Sequence, residues 1–308
     1  MMPMSQVKLI SAMTPIDPET APRPKIKDLE VMVAEVVRES PEAATLVLFT
    51  GNDRLEYRPG HFLTVDPHQF PALERFTAYF EDRKGRKEPA RAYSLSSAPH
   101  ERSLAITIKE ERYVPDVTCY PPLLSPLLVW DTLPGTRMVV TGFSGPYTLP
   151  PDIESRTDHL VHICAGSGIV PNMSILKHAL HSKMSVRHTL VYTSRTWEDV
   201  IFRWQLDKLA AAHPGTLKIV HALSRDNKPP RSPSEIRKGR VDEKMVREFI
   251  PDPSSVEVFV CGPGLSRFDR EAARQRGTEP QPRFLEAVMA HLASIGVPKE
   301  RIHRESYG

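Results

Sequence analysis

Cysteine is scarce in this chain of 308 residues: Cys119, Cys164 and Cys261 are all it has. The odd count and wide spacing argue against a disulfide framework and against a Cys-x-x-Cys metal site. A plant-type iron–sulfur cluster needs four thiolates, so this chain does not hold one alone. Long hydrophobic runs are missing too. Mean hydropathy is -0.34, and no stretch approaches the ~18–20 apolar residues of a membrane span. Near the start only Val7 to Ile10, broken by Lys8, is apolar. A secretory signal needs ~7–15 such residues, so a cytoplasmic location is expected. Nor is there a large excess of one charge: a net +3 makes no case for nucleic acid. His61, His159 and His162 lack the clustered companions of a metal site and are assigned to structure. Ser96 and Ser97 lack a nucleophile elbow.

What remains is an ordinary globular composition, 26% charged and 40% hydrophobic, with a length that suggests two domains of ~100–200 residues each. Proline stands out at 30 residues, about twice the ~5% average. Such a chain favours short strands and rigid loops over long helices.

Residues 1–27 are proline-rich and aperiodic, and read as a loose arm. From Asp28 short strands recur: around Val31 to Val37, Thr45 to Thr50, Gly60 to Val65, Ala90 to Ser97, Ser103 to Lys109 and Gly135 to Thr141. Turn residues between them predict an antiparallel β-barrel over 28–150, six-stranded in type. Leu123 to Trp130 is its one expected helix. Residues 67–90 read as an insertion with a basic hairpin tip at Arg83, Lys84, Arg86 and Lys87. Beyond Pro150 and Pro151, strand and helix alternate. Strands are expected at 159–165, 187–193, 217–223, 256–261 and 301–307, and helices at 172–182, 198–212, 242–249 and 284–294. That rhythm predicts a doubly wound, Rossmann-like α/β sheet over 151–308, five-stranded in type. Stretches 225–240 and 264–282 look irregular.

Three short motifs carry chemistry. Arg91-Ala92-Tyr93-Ser94 ends a strand. Arginine can clamp a phosphate, a tyrosine two positions on shares its strand face, and the serine can bond a ring heteroatom. Together they suit a flavin nucleotide, although four residues also read as an exposed arginine beside an ordinary strand. Gly166-Ser167-Gly168, with Pro171 in the first helical turn, lies between a strand and a helix. Its glycines let backbone N–H groups approach a pyrophosphate, or simply make a tight turn. Cys261-Gly262-Pro263 ends another strand at the edge where open α/β sheets bind ligands; a buried thiol before a turn is the plainer reading.

The order of these motifs, followed by a terminal Glu305-Ser306-Tyr307, resembles the ferredoxin–NADP reductase superfamily. In particular it resembles the reductase components of bacterial oxygenases, without a fused [2Fe–2S] domain. The resemblance implies a flavoprotein oxidoreductase that takes hydride from NAD(P)H to FAD, with FMN second. Single electrons would then pass to a separate ferredoxin or oxygenase component. A reductase of free flavin, ferric complexes or another small acceptor is the alternative, and a non-catalytic electron-transfer subunit the third. It implies that Arg91, Ala92 and Tyr93 contact the flavin, and that Ser94 bonds near N5, where hydride arrives. It implies that Thr107, Ile108 and Lys109 form a second flavin-contact strand and that Ser125 binds the pyrophosphate. Gly166, Ser167, Gly168 and Pro171 would form the dinucleotide turn. Cys261, Gly262 and Pro263 would lie beside the nicotinamide, with Glu305 and Tyr307 near the flavin. Ser94, Cys261, Glu305 and Tyr307 are thus the catalytic candidates. Two strand ends, Ser194-Arg195 and Ser224-Arg225 with Lys228, offer cations for a 2′-phosphate. Read as lacking the acidic residue that would hold a bare ribose, they point to NADPH rather than NADH. An acidic partner is expected to dock near the basic tip.

Overall fold

Alternating burial makes the first sheet. In β5 (Leu104–Lys109), Leu104, Ile106 and Ile108 point into one apolar core while Thr107 turns the other way. The same core takes Val31 and Val33 of β1 (Asp28–Ser40), Leu46 and Leu48 of β2 (Ala43–Phe49), and Leu63 and Val65 of β3 (Phe62–Val65). With β4 (Arg91–Ser94) and β6 (Arg137–Ser144), the strand order is β4-β3-β6-β1-β2-β5, antiparallel throughout. Leu95, just past β4, bridges to Ile106 of β5. That bridge joins the two outer strands and closes the sheet into a barrel, which removes its open edges. The computed structural model describes residues 28–51, 55–113, 118, 120–226 and 232–307; Cys119, Lys228 and the 1–27 arm lie outside them.

The second sheet is parallel: β7 (His159–Ala165), β8 (Arg187–Ser194), β9 (Leu217–Leu223), β10 (Glu235–Lys238), β11 (Glu257–Pro263) and β12 (Ile302–Tyr307), in the order β10-β9-β8-β7-β11-β12. All seven residues of β7 are buried, as an inner strand covered on both faces requires. Strand order reverses between β7 and β11, so a ligand crevice is expected at their carboxyl ends.

The helices are α1 (Glu74–Lys84), α2 (Ile153–Arg156), α3 (Ile169–His181), α4 (Arg203–Ala212), α5 (Glu243–Phe249), α6 (Arg267–Gln275) and α7 (Phe284–Ser294). Four sequence expectations change here. The insertion is no hairpin: Arg83 and Lys84 end α1, Gly85 closes it in the left-handed region, and Arg86 and Lys87 follow the cap. Lys84 is turned inward over Phe80 and Tyr120 and paired with Glu88, leaving Arg83, Arg86 and Lys87 outside. The parallel sheet has six strands, because β10 forms within the stretch read as irregular. Likewise α6 forms within 264–282, started by a reciprocal cap between Ser266 and Asp269. The expected helix at 123–130 reduces to a π-helical turn at Leu127–Asp131. No helix among the described residues is long and apolar enough to cross a membrane.

Candidate functional site

Four residues from three strands meet where the barrel touches the parallel sheet. Strand register sets Cys261 beside Glu305 and Pro263 beside Tyr307. Glu305 and Tyr307, two apart, share a strand face. The Tyr307 hydroxyl donates to Ser94 Oγ at the end of β4. Ser94 Oγ in turn donates to Glu305 Oε2 at 3.4 Å, and the Cys261 thiol lies 4.0 Å from that oxygen. Among the described residues no cation pairs with Glu305. Burial therefore dominates and raises its carboxyl to about 7, against the downward pull of its bonds to Tyr307 and Ser94. The Cys261 thiol is pushed well up by burial and by the Glu305 carboxylate, so it is not a nucleophile in waiting. This cluster can hold a proton near neutrality and pass it along Tyr307, Ser94 and Glu305.

The Gly166-Ser167-Gly168 turn sits at the strand-order reversal, between β7 and α3. Gly166 adopts φ 55°, and a Cβ there would face open space. Gly168 is the opposite: a Cβ would lie 2.1 Å from the Cys261 carbonyl oxygen. The turn is thus pressed against β11 on one side and open on the other, which suits a pyrophosphate held by backbone N–H groups. Asn172 buttresses it from below. Its Nδ2 donates to the Gly168 carbonyl at 2.8 Å, and its Oδ1 accepts from Tyr147 Oη at 3.1 Å. His162 Nδ1 is 2.9 Å from the same Oδ1. Burial lowers His162 to about 4, so the neutral ring must carry its proton on Nδ1 to satisfy that acceptor. Pro171 is buried in the first turn of α3. Gly262 is needed for packing, since a Cβ there would meet the Phe284 ring at 2.6 Å.

Arg91 begins β4 with its guanidinium half-exposed. Nη2 donates to Glu88 Oε2 at 2.7 Å and Nη1 to the Pro89 carbonyl at 2.9 Å. Burial alone would raise the Glu88 carboxyl; Lys84 and Arg91 outweigh it and hold it below the ordinary range. Arg91 is thus anchored on one side, with Ala92 exposed beside it and Tyr93 partly buried against the barrel core.

Other expected contacts are rearranged. The Thr107 hydroxyl is buried in a chain with Thr45 and Ser96. Ile108 points into the barrel core, and Lys109 pairs with Glu42 at 3.4 Å. These three side chains are engaged inside the protein, so a flavin would meet this strand through its backbone. Ser125 Oγ is buried and accepts the Glu111 amide at 3.1 Å. Arg195 does not stand ready for a phosphate: Nη2 lies 2.5 Å from Glu42 and 3.2 Å from Asp199. Ser224 Oγ donates to the Ser194 carbonyl at 3.4 Å, which ties the two strand ends together. Arg225 is exposed. The two ends are not free of acid, contrary to expectation. Asp226 accepts the Trp197 amide at 3.0 Å, close to Arg225. Asp226, Asn172 and Glu42 were missed by motif reading, although Asp226 directly follows Ser224-Arg225.

A profile for an oxidoreductase NAD-binding domain matches residues 162–270. The ferredoxin reductase component of a 3-ketosteroid-9-alpha-monooxygenase from Mycolicibacterium smegmatis is 31% identical over 288 residues, 91% of this chain. The chain is thus similar to such reductase components over most of its length. The chain spans 65% of the length of that mycobacterial relative. Among solved structures, the FAD/NAD-binding domain of a Vibrio cholerae nitric oxide dioxygenase matches with TM-score 0.65 at 22% identity, covering 92% of this chain and all of the other. The ferredoxin reductase of a carbazole 1,9a-dioxygenase matches with TM-score 0.63 at 20% identity, over 93% of this chain and 71% of the other. These two likenesses establish a shared fold.

Proposed function

We propose that this protein is a member of the ferredoxin–NADP reductase superfamily, an NAD(P)H-dependent flavoprotein reductase that passes electrons to a separate ferredoxin or oxygenase component. The observation that carries the reading is the Ser94–Tyr307–Glu305–Cys261 cluster, set beside the open face of the Gly166–Gly168 turn. In this reading the half spanning about 28–150 holds FAD and the half spanning 151–308 holds NAD(P)H. The flavin, when bound, supplies the hydride and electron chemistry. The chain supplies the rest. Arg91, fixed by Glu88, takes the flavin phosphate; Tyr93 lies along the ring system; Ser94 presents its hydroxyl to the reacting edge. The backbone of Gly166 and Ser167 takes the dinucleotide pyrophosphate. Cys261 and Gly262 fill the floor beside the nicotinamide, and Glu305 receives or returns a proton through Ser94.

The acceptor assigned is an acidic protein that docks on α1. There Phe76 and Tyr79 are 58% and 55% exposed, next to Arg83, Arg86 and Lys87. Exposed aromatics beside cations are the usual makings of a binding surface. The test is to purify the protein, add NADPH without oxygen, and follow flavin absorbance and reduction of an acidic [2Fe–2S] ferredoxin at rising salt. Bleaching of the flavin and carrier reduction that weakens with salt are expected. A protein that releases no flavin on denaturation would refute the reading. Carrier reduction indifferent to salt would remove α1 as the docking face.

NADPH is the assigned reductant, with Arg225 and Ser224 as the readers of its 2′-phosphate and Arg195 withdrawn from that role. Replacing Arg225 by Ala should cut kcat/KM for NADPH at least ~10-fold, each tenfold being about 1.4 kcal/mol, while sparing NADH. Equal losses for both dinucleotides, or a wild type that prefers NADH, would reject the assignment. In the latter case Asp226 is the group to examine, because a carboxylate suits a ribose diol.

A further inference from the structure

The turn between β1 and β2 is a peg driven from the barrel into the other half. Ala43 is fully buried in one apolar cluster with Ile169, Tyr192 and Phe202. Glu39 Oε2 accepts the Phe202 amide at 3.1 Å, and Phe202 has φ 61°, a backbone state uncommon for a bulky residue. Between them sits Glu42, only 7% exposed. Its Oε2 faces Arg195 Nη2 at 2.5 Å and Lys109 Nζ at 3.4 Å, and its Oε1 faces Arg112 Nη2 at 3.1 Å. Arg195 leaves the end of β8, in the parallel sheet; Lys109 ends β5, in the barrel. One buried carboxylate therefore joins a cation from each sheet, and a second carboxylate, Asp199, holds Arg195 from its own side.

We propose that Glu42 is a positioning residue that locks the flavin-side barrel to the dinucleotide-side sheet through Arg195. Arg195 is in this role a structural partner of Glu42 and takes no part in nucleotide recognition. The proposal rests on the reductase reading for its catalytic consequence, but the lock itself is a property of the chain. Breaking a buried ion pair at one partner leaves the others uncompensated, so loss of Glu42 should loosen this seam before it disturbs either sheet. Ile169, directly after the Gly166–Gly168 turn, packs in the same cluster as Ala43, so the loosening reaches the dinucleotide turn.

The experiment compares Glu42→Gln, Arg195→Met and the double variant in the full chain. Three quantities are read: amide hydrogen exchange of residues 196–202, affinity for 2′,5′-ADP, and the rate of flavin reduction by NADPH. Each single variant should speed exchange in 196–202 by at least ~10-fold and slow reduction by a similar factor, with 2′,5′-ADP affinity and flavin content unchanged. The double variant should be no worse than the worse single, as expected for two partners of one contact. Arg195→Lys, which keeps the charge, should recover part of both effects and guards against simple misfolding. Tighter 2′,5′-ADP binding in Glu42→Gln with an unchanged rate would overturn the proposal, showing Arg195 to be a phosphate reader. Additive effects in the double variant would also overturn it. If the wild type holds no flavin, the reductase reading fails while the exchange result still decides the lock.

Discussion

Replacing Glu305 by Gln is expected to slow carrier reduction by about 10²-fold, the usual loss when a positioned acid–base group is removed. It should also flatten the pH profile. Glu305 is held near 7 chiefly by burial, so it is mostly the acid at pH 6 and mostly the carboxylate at pH 8. A proton released during turnover meets Ser94 Oγ first and then Glu305 Oε2, 3.4 Å away. Only the carboxylate form can take that proton. Wild-type carrier reduction should therefore rise between pH 6 and 8 and level off, whereas the Gln variant should be slow and flat. Stability should move the other way. Between the ordinary carboxylate range and about 7, the folded chain keeps a proton that the unfolded chain has lost. Glu305 thus lends stability at low pH that disappears as pH rises through 7. A Gln side chain has no charge to bury, so the variant should melt above wild type at pH 8 and near it at pH 5. A wild-type rate independent of pH from 6 to 8 would take Glu305 out of the proton path.

The second large effect concerns Gly168. A Cβ at this position would meet the Cys261 carbonyl oxygen at 2.1 Å, the Cys261 carbonyl carbon at 2.5 Å and the Gly262 nitrogen at 2.9 Å. All three are backbone atoms of an inner strand, so no side chain can swing away. Gly168→Ala must push the turn off β11 or bend β11 itself. Overpacking of this kind costs about 1–3 kcal/mol, and here the upper end is expected. In a domain of ~150–250 residues each kcal/mol lowers Tm by about 2–4 °C. Dinucleotide binding should be lost as well, because the turn and the Cys261–Pro263 strand end form one surface. Gly166→Ala is the control. It meets no atom within 4 Å and bears only the cost of a left-handed alanine, about 1–2 kcal/mol. If calorimetric melting puts the two variants level, the close approach at Gly168 has no structural weight.

Much of the architecture was legible because burial patterns are local. The strand at 159–165 reads as a buried run and is buried throughout; Leu104, Ile106 and Ile108 alternate in the sequence and in the barrel. The catalytic candidates were legible from motif order, and Ser94, Cys261, Glu305 and Tyr307 do converge. What escaped was decided by partners remote in the chain. Arg195 looks like a phosphate ligand until Glu42, 153 positions away, is found against it. Lys84 reads as a surface cation until Phe80, Tyr120 and Glu88 enclose it. The helix α6 was hidden because flanking glycines and prolines outweigh a capping pair that only the folded chain makes visible. The strand β10 has four residues and one neighbour, too little for periodicity to announce.

The burial of Ala43 also bears on how the chain comes apart. Its methyl group belongs to the cluster that covers one face of the parallel sheet, with Leu190, Tyr192 and Ile219, yet it is the first residue of a barrel strand. Withdrawing it would open a hole in that cluster and, in the same movement, free Glu39 from the Phe202 amide. At the far side of the seam Ser174 Oγ donates to the Ser97 carbonyl at 2.6 Å, so a second attachment would have to fail together with the first. Two sheets stitched in this way share a folding transition. Severed between Leu149 and Ile153, the parallel-sheet fragment would present a wet apolar notch and tend to associate through it, rather than persist as an independent module.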